Sequence, residues 1–235
     1  MGKSRIKWSM LGVIFSLAGP TIFEQFMQTA VQYIDTAMVG SLGTSATAAV
    51  GATTTVNWLV GSTVSAVGVG FLSYIAKKHG SGDLTAVRRA SAQSVLAVLV
   101  TGIFFTVLTL TFSPVVPVLM QVDEPIRDLA AKYFFILYTP MLPRAATIIF
   151  GTVLRAVGDT KTPMKYLIIA GVTNLCLNVV FVTLFGMHVD GVATATVIAQ
   201  TVSATLMIIT LLKRNDECRL VLKKMKIRWS RCLGS

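Results

Sequence analysis

Charge is what this sequence has least of. Of its 235 residues, 13% are Asp, Glu, Lys or Arg, and only 10 are acids. A soluble domain carries about 25% charged residues, so the shortage argues against a chain surrounded by water. Histidine is almost missing. His79 and His188 are the only two, and no metal-ligand spacing or His-Asp-Ser arrangement accompanies them. An enzyme is therefore not expected. The three cysteines, Cys176, Cys218 and Cys232, fit no metal spacing and read as unpaired thiols in a reducing setting.

Apolar residues fill the space that charge leaves. They make up 54% of the chain, and the mean hydropathy is +0.72. A helix that crosses a bilayer needs roughly 20 predominantly apolar residues. Six such stretches fit here, at 9–39, 46–76, 90–112, 126–156, 164–185 and 191–212. The expected fold is an all-α membrane protein, a six-helix bundle over residues 1–213. A basic cytoplasmic juxtamembrane tail over 214–235 follows it. Pro20, and Pro140 with Pro143, supply kink points in the first and fourth spans. The first apolar run outlasts a signal peptide's core, so it reads as a retained helix. Ile6 stands where a myristoylation signal wants Ser or Thr. The second span is crowded with small residues from Ala48 to Gly70, which predicts close helix packing.

The net charge of +11 would suit nucleic acid, but its placement does not. All but three of the 21 lysines and arginines (Arg127, Lys132 and Arg144) fall before the first span, between spans two and three, between four and five, or after the sixth. The opposite loops hold Asp123, Glu124, Asp128 and Asp190. The positive-inside rule makes the basic side cytoplasmic, with both termini inside. The charge then marks topology and contact with anionic membrane lipid, and no nucleic-acid partner is implied.

Polar residues inside the spans draw attention because a charge at bilayer depth costs a few kcal/mol or more. On the first helix Gln25, Gln28, Gln32 and Asp35 keep to one stripe, which Glu24 borders. Such a stripe must face protein or a water-filled cavity. Asn174 and Asn178 lie one turn apart on the fifth span, and Thr194, Thr196 and Gln200 on the sixth. Tyr133 and Tyr138 belong to the fourth. Counting residues from the helix ends puts Asp35, Asn178, Thr196 and Tyr133 about 7–12 Å below the outer surface. Arg144 and Glu24 lie deeper, and each would otherwise strand a charge, so they are expected to pair. The alternative is an Arg144 that lines the cavity alone.

Five segments carry a resemblance. Gln32-Tyr-Ile-Asp-Thr-Ala-Met-Val-Gly40 and Ala48-Ala-Val-Gly51 look like the end of the first helix and the start of the second in the multidrug and toxic compound extrusion (MATE) family. Gly80-Ser-Gly-Asp83 and Leu154-Arg-Ala-Val-Gly-Asp-Thr-Lys-Thr-Pro-Met164 resemble its inner loops. Gly191-Val-Ala-Thr-Ala-Thr-Val-Ile-Ala-Gln200 resembles its sixth helix. The resemblance implies a secondary antiporter of the cell membrane that exports drugs or organic cations in exchange for Na⁺ or H⁺. It implies two six-helix lobes around a central cleft, switching by alternating access. It makes Asp35, Asn174, Asn178 and Thr196 the ion-coupling group, with Asp35 the carboxylate that would hold Na⁺. Glu24, Gln28, Gln32, Tyr133, Tyr138 and Arg144 would line the substrate cavity. Some relatives have Asp where Asn178 stands. The expected partner is a second six-helix lobe, as a missing C-terminal half or as a second copy of this chain. Competing readings are a lipid or lipid-linked saccharide flippase of related architecture, and a half-lobe that transports nothing.

The topology is open to test. Single cysteines at Gly43, Glu124 and Met187 should react with an impermeant maleimide added outside, and those at Gly82 and Lys161 should not. Outside labelling of either inner position would sink the assignment.

Overall fold

The computed structural model describes residues 8–214. Those residues form α1 (Trp8–Ser41), α2 (Thr44–Gly80), α3 (Leu84–Phe112), α4 (Val116–Leu119), α5 (Glu124–Tyr138), α6 (Met141–Ala156), α7 (Lys161–Val179) and α8 (Val189–Lys213). A π-helical turn, Val180–Leu184, continues α7. Helices are forced here because hydrocarbon offers backbone N–H and C=O groups no partner outside their own segment. By length and apolarity α2, α3, α7 with its π-turn, and α8 can each cross a bilayer. α5 and α6, bent by 50° at their junction, are together long and apolar enough for a fifth crossing. α1, with 34 residues, has ample length for the sixth. The tail expected over 214–235 lies outside the described residues beyond Arg214, as do the charges before the first span.

Connections between the long helices are tight. Gly82 and Gly158, in the two inner-loop segments singled out in the sequence, take φ of 76° and 86°. A side chain in that region is strained, and glycine has none. Asp83 then caps α3 by accepting the Ala86 N–H at 3.1 Å. Asp159 accepts the Thr162 N–H at 3.1 Å and the Thr162 hydroxyl at 2.8 Å. It also pairs with Arg214, which ties the end of α8 to the α6–α7 loop. Partial burial works against the Asp159 carboxylate, but the bonds from Arg214 and Thr162 outweigh it and hold its pKa below the usual value. At the other end Lys132 pairs with Asp190, and Arg127 donates to the Val122 carbonyl at 3.2 Å.

The bend expected in the fourth span is present and is a full break. Pro140, at φ −98° and ψ 58°, leaves helical geometry, and α6 starts afresh at Met141. Pro143 falls within the first turn of α6, where its missing N–H has no intrahelical partner to lose. α1, in contrast, runs through Pro20 as one helix. Two further departures from the expected spans are local. α4 is a four-residue turn too short for any periodic signal, and the π-turn has no sequence signature.

α6 is the axis of the lobe. It packs on α2, α3 and α8, and most residues from Ala145 to Ala156 are buried. α7 packs between α1 and α8, while α1 touches α2 only sparingly. Small residues set the closest approaches. A Cβ at Gly68 would meet Thr152 at 3.1 Å, and one at Gly171 would meet Val31 at 2.9 Å. The crowding of small residues on α2 is only partly spent this way. Ala49 and Gly68 are buried, whereas Ala48, Gly51, Ser62, Ser65, Ala66 and Gly70 face outward. Many hydroxyls also turn inward on their own helix rather than across to another. On α3, Thr101, Thr106, Thr109 and Thr111 each donate to the carbonyl four residues earlier.

Gly102 tests the packing. A Cβ there would lie 2.9 Å from the Leu142 side chain and 3.0 Å from its backbone, so α3 and α6 must part. Gly102→Ala should cost about 1–3 kcal/mol, read as a lower melting temperature in detergent. Gly70→Ala, with nothing within 4 Å, is the control. Equal melting of the two variants would refute the close approach.

Candidate ion and substrate site

A polar chain crosses three helices in one half of the lobe. Asn174 and Asn178 share a face of α7 because they stand one turn apart. The Asn178 amide nitrogen donates to Asp35 Oδ1 at 2.6 Å and to Asn174 Oδ1 at 3.0 Å. The Asn174 amide nitrogen donates to Thr196 Oγ1 at 3.1 Å, and Thr196 donates to its own helix at the Val192 carbonyl, 3.0 Å away. Both asparagines are buried and Asp35 is half-buried. Asn178 Oδ1 is buried with no hydrogen-bond partner among the described residues. An orphaned carbonyl oxygen beside a carboxylate is an unmet acceptor, and such a group costs about 1–3 kcal/mol. The π-turn begins two residues later, in a form often found at functional sites. Tyr133, buried on α5, lies within electrostatic reach of Asp35, Tyr138 and Arg144. The four residues Asp35, Asn174, Asn178 and Thr196 are therefore brought together, with Tyr133 near them.

The expected pairing of Glu24 with Arg144 is not what forms. Glu24 receives Arg155, whose Nη1 reaches both carboxylate oxygens at 2.7 and 2.8 Å. Arg155, one of the basic residues at the inner end of the fourth span, sits in the last turn of α6 and turns its side chain into the bundle. Arg144 and Arg155 lie eleven residues apart on α6, about three turns, and so share a face. The level along the helix decides the partner, and Arg155 is at the level of Glu24. Arg144 instead donates to Asn57 Oδ1 at 2.5 Å, and Tyr138 donates to the same oxygen at 3.1 Å. The guanidinium carbon stands 5.9 Å from the Tyr138 ring centre. Asn57 was overlooked in the sequence. Its signal was an amide inside an apolar run.

The α1 stripe also divides. Glu24 and Asp35 turn into the lobe, whereas Gln25, Gln28 and Gln32 are exposed. The glutamines therefore line no closed cavity within this lobe, because α1 leans on α7 and leaves its other side open. Beside that open side a crevice of about 720 Å³ runs between α1, α2 and α6, walled by Ile22, Ser65, Leu72, Ile148, Thr152 and Arg155 among others. Among the described residues no group of three or more His, Cys, Asp or Glu gathers as a metal site.

Long apolar helices packed around a polar chain define an all-α membrane bundle. The MatE family model matches residues 20–180, and the chain belongs to that family. It is 29% identical over 211 residues to the probable multidrug resistance protein NorM of Thermotoga maritima, covering 86% of this chain and 45% of the relative. It is also 29% identical over 191 residues to the probable multidrug resistance protein YpnP of Bacillus subtilis, covering 80% of this chain and 42% of the relative. The chain thus spans about half the length of these curated relatives. Among solved structures, a multidrug resistance MATE family transporter in an outward-facing conformation superposes with a TM-score of 0.88 at 23% identity. The match covers 92% of this chain and 48% of that one. An inward-facing MATE transporter superposes with a TM-score of 0.80 at 24% identity, covering 86% of this chain and 46% of that one.

The ion pair gives a stability test. The Glu24 side chain is 10% exposed and that of Arg155 21%, so removing one partner strands the other. Glu24→Gln should cost about 3 kcal/mol, whereas replacing both residues with Met should recover most of that loss. Thermal melting in detergent measures both. A double variant no more stable than Glu24→Gln would count against the pair.

Proposed function

We propose that this chain is one lobe of a secondary antiporter that exports drugs or organic cations in exchange for Na⁺ or H⁺, working opposite a second six-helix lobe. The observation that carries the reading is the bonded series Asp35–Asn178–Asn174–Thr196 with its one unspent acceptor, Asn178 Oδ1. A carboxylate, two amide oxygens and a hydroxyl are oxygen ligands of the kind a small hard cation takes. Rotation of the Asn178 amide would turn its unspent oxygen toward an arriving Na⁺. A proton would instead bind the Asp35 carboxyl, with the neutral amides still able to bond to it. The partners are neutral, so the site holds a single negative charge. That charge can be open, proton-bound or sodium-bound.

Exchange follows from competition for this charge. An inward ion and an outward organic cation cannot both neutralise Asp35. Occupancy by one favours release of the other, provided the site faces each side of the membrane in turn. Alternating access needs two bodies rocking about a fixed site, and this lobe supplies one. Its crevice and the exposed Gln28 and Gln32 would form its wall of the cleft. The basic loops support an orientation with both termini in the cytoplasm, in keeping with a plasma-membrane exporter.

Asp35→Asn removes the charge while keeping the size and most hydrogen bonds. In proteoliposomes holding this lobe with its second lobe, it should insert normally and lose ion-driven efflux of a fluorescent cation. Asn178→Ala should slow efflux less, since only a neutral ligand is lost. Unchanged efflux and ion coupling in Asp35→Asn would move the coupling charge to Glu24.

A further inference from the structure

α6 carries a cation that no described residue neutralises. α6 turns Arg144 and Arg155 to one face. Arg155 spends its charge on Glu24 through two short bonds. Among the described residues Arg144 forms no ion pair. It is held by a neutral amide, Asn57, and by the Tyr138 ring. An arginine at this depth is costly unless a counter-charge meets it. Nothing about the Asp35 chain needs it there, and for an organic cation it is a repulsive neighbour.

The surroundings of Arg144 are built to hold it still and to leave it open. Tyr138 is fully buried, with its ring 4.3 Å from that of Phe134. Its hydroxyl proton is spent on Asn57 Oδ1, the same oxygen that takes Arg144 Nη1. That carbonyl thus accepts from both, so the Asn57 amide N–H groups and the rest of the guanidinium fork remain as donors. On the α2 side stands Gly61, where even a Cβ would come within 3.2 Å of Arg144 Nη2. A larger residue there would press on the fork, and glycine leaves it clear. Arg144 does not itself wall the crevice; it stands one helical turn along α6 from Ile148, the lining residue nearest to it in sequence. A donor-only fork held one turn along α6 from the crevice wall suits one class of group, an oxyanion on an amphipathic molecule whose apolar part lies toward the crevice.

We propose that Arg144, held by Asn57 and Tyr138, is an anion subsite that takes the carboxylate, sulfonate or phosphate group of an amphipathic ligand. The proposal rests on reading the crevice as one wall of a transport cleft, but it concerns binding and is tested by binding. The substrates of this lobe then include anionic or zwitterionic amphiphiles as well as cations.

The test uses the purified chain in phosphatidylcholine nanodiscs and two dansyl-labelled eleven-carbon probes, one ending in a carboxylate and one in trimethylammonium. The wild type should bind the carboxylate probe about tenfold more tightly. Arg144→Gln should lose that preference and bind the ammonium probe at least as tightly as the wild type does, which also reports that the variant is folded. Arg144→Lys, with charge but no fork, should lie between them. Adding phosphatidylglycerol to the discs separates two sources of the anion. Displacement of the carboxylate probe assigns the site to a lipid headgroup, and lack of displacement assigns it to a free amphiphilic acid. Equal binding of the two probes by the wild type overturns the proposal, as does unchanged carboxylate affinity in a folded Arg144→Gln. The wild-type comparison decides even if Arg144→Gln does not fold. Loss of transport in Asp35→Asn alongside carboxylate preference in the wild type would leave both readings standing. Loss of one result without the other identifies which has failed.

Discussion

Everything in this lobe follows from the absence of water around its middle. A backbone amide or a charge that hydrocarbon surrounds must find its partner inside the protein. The backbone meets that demand by coiling, so the chain is long helices joined by tight turns. The side chains meet it in three ways. Hydroxyls donate to their own helix, amides link helices in series, and charges pair. A few groups among the described residues go without: Asn178 Oδ1, Ser91 Oγ and Ser203 Oγ are buried with no hydrogen-bond partner, and Arg144 has a neutral amide in place of a counter-charge.

α6 organises this arrangement. It is buried on most sides and packs against three helices, so its side chains are held at fixed depths. Its one polar face carries both arginines. At one end of that face Arg155 grips α1 through Glu24, and about three turns away Arg144 meets α2 through Asn57. The two contacts hold α1 and α2 to the same rod while those helices barely touch each other. The crevice between them is the result.

How much of this could be read in the sequence divides along a clear line. Angular position was legible. The one-turn spacing of Asn174 and Asn178, and the stripe on α1 that ends at Asp35, follow from helix geometry alone, and Asp35 does meet the two asparagines. Depth was not. Glu24 and Arg144 were matched because both looked stranded, but the depth of α1 against α6 sets Glu24 level with Arg155, at the end of the fourth span. Which side of α1 faces protein was also hidden. Gln28 and Gln32 share the polar stripe with Asp35 yet are exposed, because α7 covers only part of it. Asn57 gave a weak sign, since a single amide in an apolar run is too common to mark a site. The family resemblance placed the helices and loops. It did not indicate the partners of the two arginines.

The threonines of α3 have a mechanical consequence. Four of its carbonyls carry a second donor, the hydroxyl of the residue four places on. A carbonyl shared in this way holds its backbone N–H less firmly, and such helices bend more readily. The same device recurs on α8, where Thr194, Thr196, Thr201 and Thr205 donate to the carbonyl four residues earlier. Viewed as beams, α6 is braced by its neighbours, while α3 and α8 are each softened along their own length.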